Sequence, residues 1–292
     1  MEVPLPHLTI HHRTTYQYRE PVQLGPHRLM LRPRESRDLR IISTTLAISP
    51  EATITWAQDV AGNAVATATF QTITDRLVIS CSTEVELSAA VWPVFDIAAL
   101  AISFPFRYSD EDWTDLGALT VMQHADPVGR LASWAQGFVL GSSTDTLSLL
   151  KDLSAGVSGA LAYETRDDEG TQSPLESLDR RAGSCRDFAV LFAEAVRSLG
   201  FGARLVSGYL HDPGEALMGS QGTGTTHAWA EVFVPGAGWI TFDPTNRSIG
   251  GANLIPVAMV RDIAQSVPVS GSYVGQPKAF ELMSVEISVA AA

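Results

Sequence analysis

Alternation between apolar and polar positions dominates the first ninety residues. Leu77, Ile79, Cys81, Thr83, Val85 and Leu87 fall on one side of a two-residue repeat, and Leu39, Ile41, Thr45 and Ala47 sit in a similar pattern. Such runs, rich in Thr, Val and Ile, predict antiparallel β-structure over 7–90. Between two strand-like flanks, Val60–Val65 places Gly62 and Asn63, both tolerant of positive φ, and so predicts a hairpin turn. From 127 the period changes. Leu131, Trp134 and Phe138 recur at helical spacing, with Pro127 suited to the first turn and Gly141 as the stop. A second helix, capped by Thr144 or Asp145, turns Leu147, Leu150, Leu153 and Val157 inward, and Ser173–Pro174 opens a third, short one. A fourth carries Ala189, Leu191, Phe192, Ala195, Val196 and Leu199 and closes at Gly200. Strands follow at 203–210, 226–234 and 239–246, the first two separated by a loop rich in Gly, Ser and Thr. Alternation returns in Val285, Ile287 and Val289, with a phase change near Leu282–Met283 that predicts a bulge. The fold class is therefore α+β. An antiparallel β domain spans 1–90, a linker 91–125 and a mixed helical and stranded core 126–277, and 278–292 form a strand returning to the first domain.

At 292 residues with 45% apolar and 18% charged positions, the chain has material for a sizeable core. A net charge of −12 repels phosphate backbones and anionic lipid, so neither nucleic acid nor a membrane is an expected partner. Arg28, Arg32, Arg34, Arg37 and Arg40 cluster, but Glu35 and Asp38 lie among them, and the stretch reads as a solvated edge. The first twenty residues hold no apolar run of signal-peptide length and no transmembrane stretch occurs, so a cytoplasmic location is expected. The acidic cluster Asp110, Glu111, Asp112 and Asp115 lacks the ligand alternation and glycine of a calcium loop and reads as a helix start. His7, His11 and His12 have no matching pair at ligand spacing; no metal and no cofactor are expected.

Two cysteines, Cys81 and Cys185, stand too far apart to suggest a disulfide framework in a reducing compartment. Cys81 lies on the apolar side of its strand and reads as a small buried hydrophobe. Cys185, in Gly183-Ser-Cys-Arg-Asp-Phe188, falls at a helix N-terminus, where unpaired N–H groups stabilise a thiolate. Gly183 offers close backbone approach to a substrate, while Asp187 opposes a neighbouring thiolate, so a base is needed. The turn Pro235–Gly238 joins two strands into a hairpin whose same end carries His227 and Asp243. Cysteine, histidine and carboxylate make a nucleophile, a base and its orienter. His211 is a competing candidate for the base, but it precedes the glycine-rich loop and the strand pattern sets no carboxylate opposite it. The backbone N–H of Cys185 is a natural oxyanion donor, with Gln172 and Trp229 as candidates for the second. Trp229 and Trp239 also read as core or cleft-wall aromatics.

From these residues the chain resembles the transglutaminase-like superfamily, which implies a papain-like fold. The resemblance rests on Gly183-Ser-Cys-Arg-Asp-Phe-Ala189, Gly208-Tyr-Leu210, His227-Ala-Trp-Ala-Glu-Val232 and Gly238-Trp-Ile-Thr-Phe-Asp-Pro-Thr-Asn246, and fills the catalytic positions with Cys185, His227 and Asp243. The stretch Thr14-Thr-Tyr-Gln-Tyr18, Pro21-Val22 and Leu24–Arg34 is similar to the β domain of a bacterial branch, transglutaminase-like cysteine peptidases. After Asn246 the usual His-Ile and Gly-Arg-Asp pieces are altered here to Leu254-Ile255 and Val260-Arg261-Asp262. Implied is peptide or amide hydrolysis through a thioester on a peptide or protein substrate. Acyl transfer from glutamine to an amine, or a scaffold without turnover, stays open.

Overall fold

The computed structural model describes residues 7–165, 170–211 and 225–291. The N-terminal third builds six strands: β1 (His7–Leu24), β2 (His27–Leu29), β3 (Leu39–Ser49), β4 (Ala52–Gln58), β5 (Ala64–Phe70) and β6 (Ile73–Leu87). Leu8, Ile10, His12 and Thr14 of β1 point inward while His7, His11 and Arg13 face solvent, as a period of two requires. Leu24, Leu29, Ala66, Ala68, Phe70, Leu77, Ile79 and Cys81 meet in one core, between a sheet carrying β1, β6 and β3 and a second carrying β2, β5 and β4. The turn before β5 departs from expectation in part. Gly62 takes φ 78°, but Asn63 keeps a negative φ. Its side chain does something else, described below.

Residues 91–125, read as a linker, pack along the core for much of their length. They carry β7 (Ser103–Phe104) and α1 (Asp110–Leu116). Ser109 caps α1, and Asp110, Glu111 and Asp112 occupy its first turn, where carboxylates complement the helix dipole. Phe104 stacks on Phe201 with ring centroids 5.3 Å apart. Tyr108 Oη donates to the Phe233 carbonyl at 2.7 Å. Glu194 accepts from the backbone N–H groups of Gln123 and His124, both at 2.8 Å, and Arg197 donates to the Leu119, Ala203 and Arg261 carbonyls. The Glu194 and Arg197 side chains are buried and paired at 2.7 Å, so leaving either without partners would be expensive.

The core follows as α2 (Arg130–Gln136), β8 (Thr144–Asp145), α3 (Thr146–Ala160), β9 (Ala162–Tyr163), α4 (Pro174–Arg180), β10 (Ala182–Gly183) and α5 (Cys185–Ser198). Helix α2 starts three residues later than Pro127 suggests. The Asp126 carboxylate accepts from the N–H groups of Arg130 and Ala132, which sets the first turn beyond the proline. Asp145 caps α3 and Ser173 caps α4. Strands β11 (Ala203–Leu210), β12 (Thr225–Val234), β13 (Gly238–Asp243), β14 (Ser248–Ile249) and β15 (Leu254–Val260) form a sheet in the order β14-β13-β12-β11-β15. Phe188, Leu191, Phe192, Ala195 and Val196 of α5 are sealed against Ala228, Ala230, Val232 and Phe242 of that sheet. A fully buried Phe192 alone contributes about 1.5–3 kcal/mol.

Short strands β16 (Val269–Ser270) and β17 (Tyr273–Val274) and the long β18 (Phe280–Ala291) return to the N-terminal sheets. β18 pairs antiparallel with β1 from Leu8↔Ala291 to Tyr18↔Phe280, and its register shifts beside Leu282. A further seam joins the two halves along β15, the edge strand of the core sheet. Asn63 Nδ2 donates to the Met259 carbonyl and Asn63 Oδ1 accepts its N–H, both at 2.8 Å, and the Arg34 N–H reaches the Pro256 carbonyl at 2.7 Å. These rungs close an edge that would otherwise present bare backbone groups. Nearby, buried His12 meets the hydroxyl of Tyr209, on β11, at 3.0 Å. No helix among the described residues is long and apolar enough to cross a membrane.

Candidate active site

Cys185 opens α5. Ser184 precedes it as the cap, and a capping box fixes the turn: Asp187 Oδ2 accepts from the Ser184 N–H at 2.8 Å and from its hydroxyl at 2.9 Å. Asp187 Oδ1 also accepts the Gln172 N–H at 2.7 Å. Asp187 thus builds the helix start. Gly183 answers the same need, since a Cβ there would stand 2.7 Å from the Asp187 Cβ. A two-residue parallel ladder, Ala182↔Ala162 and Gly183↔Tyr163, holds the approach to the cysteine from the other side. It brings half-buried Tyr163 into the electrostatic neighbourhood of the sulfur, its ring leaning on Phe188 with centroids 6.4 Å apart.

His227 and Asp243 come together as hairpin arithmetic requires. Ala230↔Phe242 and Val234↔Gly238 set the register of β12 and β13, and at the open end His227 Nε2 lies 2.7 Å from Asp243 Oδ2. Both side chains are almost wholly buried. The Cys185 thiol lies within the electrostatic reach of this ring and of the Ala228 N–H. With Nε2–H committed to the carboxylate, Nδ1 is the nitrogen left for sulfur. Trp229 is buried, and its ring lies near-parallel to the imidazole with centroids 6.1 Å apart, which locks the histidine from the side. Gly208 makes room for this wall: a Cβ there would meet the Ile255 carbonyl oxygen at 2.1 Å and the Trp229 ring at 2.8 Å.

Electrostatics follow from burial and pairing. Burial pushes the Cys185 thiol up, but the bond and charge of His227, the Ala228 N–H and the Arg186 charge outweigh it, and the thiol pKa falls below its ordinary value. Burial would lower His227; the Asp243 carboxylate opposes it, by charge and hydrogen bond, with Cys185 adding to the lift, and the imidazolium is pushed up to about 10. The Asp243 carboxyl is held below its usual range against burial by His227 and Asn246. Both shifts run in the direction of a thiolate–imidazolium pair backed by a carboxylate. Cys81 behaves oppositely: burial raises its thiol, against weaker help from Thr83 and Arg32.

Other expected roles resolve differently. Trp229, being buried beside the imidazole, orients the ring. Gln172 donates its Nε2 to the Ala182 carbonyl at 3.3 Å. Trp239 holds the Arg204 guanidinium 4.1 Å from its ring centre, and Arg204 pairs with Glu231 at 2.6 Å, so this tryptophan belongs to a strand-bracing cluster. In the arginine cluster Arg28 pairs with Asp59, Arg37 with Asp38 and Arg40 with Glu86. The glycine-rich loop lies for the most part outside the described residues; His211, just before it, donates its backbone N–H to Asn253. Among the described residues no group of three His, Cys, Asp or Glu side chains is arranged to hold a metal ion.

Two supports of the site carry no expected role. Asn246 reaches Asp243 Oδ2 at 2.8 Å, and the N–H groups of Thr245 and Asn246 bond to Oδ1 at 3.1 and 3.3 Å. An Asp followed by such donors two and three residues on is an Asx turn, a signal present in Asp243-Pro-Thr-Asn246. The hydroxyl of Ser158 on α3 donates to the Pro244 carbonyl. That tie joins residues far apart in the chain, and local patterning has no way to announce it.

Comparison with known proteins agrees with this architecture. Residues 8–86 match the bacterial transglutaminase-like N-terminal region, and residues 132–244 match the transglutaminase-like superfamily. An uncharacterized Mycobacterium leprae protein is 38% identical over 104 residues, 36% of this chain, and the match spans only 37% of that relative. An uncharacterized Mycobacterium tuberculosis protein is 28% identical over 277 residues, covering 89% of this chain and 85% of its own. Among solved structures, a candidate cysteine protease from Cytophaga hutchinsonii superposes with a TM-score of 0.75 at 20% identity, over 99% of this chain and 92% of that one, a likeness of fold. The chain therefore joins a bacterial transglutaminase-like N-terminal region, over 8–86, to a core of the transglutaminase-like superfamily, over 132–244.

Proposed function

We propose that the protein is a cysteine-dependent amide-bond enzyme that hydrolyses a peptide or protein substrate through a thioester, with Cys185 as nucleophile, His227 as base and acid, and Asp243 as orienter. The observation that carries this reading is the buried 2.7 Å bond between His227 Nε2 and Asp243 Oδ2 beside the Cys185 thiol, which opens α5 and whose pKa His227 draws down. In the first step the thiolate attacks the carbonyl carbon, a C–S bond forms, and the electron pair moves onto oxygen. The N–H of Cys185, at the first helical position, has no acceptor within its helix and is the donor assigned to that oxyanion. As the carbonyl reforms, the C–N bond breaks and the imidazolium gives its proton to the leaving amine. Water then attacks the thioester carbon, neutral His227 takes its proton, and the C–S bond breaks to release the acid and restore the thiolate–imidazolium pair. Asp243 keeps its charge throughout and holds the proton on Nε2.

The test is the pH dependence of iodoacetamide alkylation at each cysteine. Cys185 reacts rapidly well below pH 8, and a second inflection, near pH 10, marks loss of the imidazolium proton. His227→Ala moves the acid-side inflection up to about 8.5 or higher, the range of an ordinary or buried thiol. Cys81 stays slow throughout. Cys185→Ala folds and loses turnover of peptide amides, whether water or an added primary amine is the acceptor, and the product ratio with amine present separates hydrolysis from acyl transfer. An ordinary thiol profile at Cys185 in the folded wild type, or turnover retained in Cys185→Ala, overturns the reading.

A further inference from the structure

The Asp243 carboxylate is crowded with donors. Oδ2 takes the His227 Nε2–H at 2.7 Å and the Asn246 Nδ2–H at 2.8 Å, while Oδ1 takes two backbone N–H groups. Asn246 Nδ2 also lies 3.3 Å from His227 Nε2. Both nitrogens carry hydrogens aimed at the same oxygen, so the short separation between them sets two donors side by side with no bond between them. We propose that Asn246 is a positioning residue that fixes the Asp243 carboxylate and blunts its pull on the imidazolium, so that His227 can surrender its proton to the leaving amine. This rests on the catalytic reading above.

Two effects act in the same direction. A carboxylate oxygen already accepting from an amide offers less negative charge to a second donor, and the positive end of the Asn246 amide lies beside the imidazolium N–H. Either makes the imidazolium easier to deprotonate. A general acid works best when its pKa lies near the working pH, and a buried carboxylate lifts this histidine far above it, to about 10. A donor shared with the carboxylate is a means of moderating that lift without removing the orienter. Among the described residues, the other ionisable groups acting on this cluster are Cys185 and Arg186 from α5 and, through the sulfur, Tyr163 from β9, and none of these touches Asp243 Oδ2 in place of Asn246.

The experiment repeats the alkylation profile on full-length Asn246→Ala and on the isosteric Asn246→Asp, with slow alkylation of Cys81 as the check that each is folded. In Asn246→Ala the alkaline inflection rises by about half a pH unit or more, the size expected for losing one hydrogen bond to a charged acceptor. Turnover falls at unchanged KM. In Asn246→Asp the two carboxylates share a proton, and the acid-side inflection rises by about one unit or more. Should the alanine variant not fold, the aspartate variant decides alone. A wild type with the low-pH Cys185 reactivity but variants whose inflections do not move overturns the role of Asn246 and leaves the catalytic reading intact. A wild type with an ordinary thiol profile overturns both.

Discussion

Replacing Asn63 with alanine tests how the two halves of the molecule depend on each other. Asn63 is buried, and its amide acts as one more rung on the edge of β15, taking the Met259 N–H and carbonyl at 2.8 Å each and the Asp59 carboxylate at 2.9 Å. Alanine removes both partners of Met259 and leaves a backbone N–H and a carbonyl without them at a buried position. Each orphaned buried backbone group costs about 1–3 kcal/mol. The bond to Asp59 adds little, because that carboxylate keeps the N–H groups of Ala61 and residue 63. The expected loss is therefore about 2–6 kcal/mol, read as a lowered urea midpoint at 25 °C. Asn63→Asp keeps the shape but turns a donor into an acceptor toward the Met259 carbonyl and adds charge beside Asp59, so it should cost at least as much. A loss below about 0.5 kcal/mol in both variants would falsify the argument that this amide closes the edge of the core sheet.

Two further outcomes follow from the same seam. His12 is buried, bonded to Tyr209 and Thr14, and its imidazolium is disfavoured, with burial lowering its pKa to about 4. A folded-state pKa below the unfolded value of about 6.5 means the unfolded chain binds the extra proton, so stability is full above pH 6.5 and falls as pH drops toward 4, by about 3 kcal/mol. Unfolding free energies of wild type and His12→Gln measured from pH 7 to 4.5 should converge at the acid end; parallel curves would remove His12 as the cause. Deleting 278–292 strips β1 of its partner β18 along eleven paired positions and should lower the melting of the β domain together with that of the core, whereas an unchanged β-domain transition would show that the strand is dispensable.

Local patterning carried much of this fold, and its failures have specific causes. The hairpin that brings His227 to Asp243 was legible because a four-residue turn and a period of two leave little freedom in where the strand ends fall. Caps at Asp145 and Ser173 were legible for a similar reason: a polar side chain three residues before an N–H it can reach is a short-range event. Pro127 misled because the better partner for the first turn, Asp126, reaches over it. Asp187 looked like a charge opposing a thiolate, since nothing in its neighbours along the chain reveals that both its oxygens are already taken by the helix cap and by Gln172. Asn63 read as a turn former, a role its backbone partly shares with Gly62, while its buried side chain serves a strand almost two hundred residues away. Gln172, Trp229 and Trp239 were recognisable as residues of the right chemistry, but which of them faces the site is decided by contacts that no window of sequence contains.

The same non-local contacts explain why a β domain should accompany this core. The imidazole of His227 sits on β12, whose neighbour β11 is paired on its far side with β15, and β15 is an edge. Left bare, such an edge frays or pairs with another chain, and movement there passes through β11 to Gly208, the residue opposite His227. Asn63 and Arg34 cap that edge from the N-terminal domain, and Tyr209 beside Gly208 is held by His12. Across the site, Ser158 fixes the loop after Asp243 and the β9–β10 ladder fixes the approach to Cys185. Cysteine, histidine and aspartate are thus braced by three separate parts of the chain. Since β18 stitches the C-terminus onto β1, the brace from the N-terminal side cannot swing away without breaking a sheet. The placement of Cys185, His227 and Asp243 on which the proposed chemistry depends is therefore a property of the whole molecule, and a core separated from its β domain would carry the same three side chains on a looser frame.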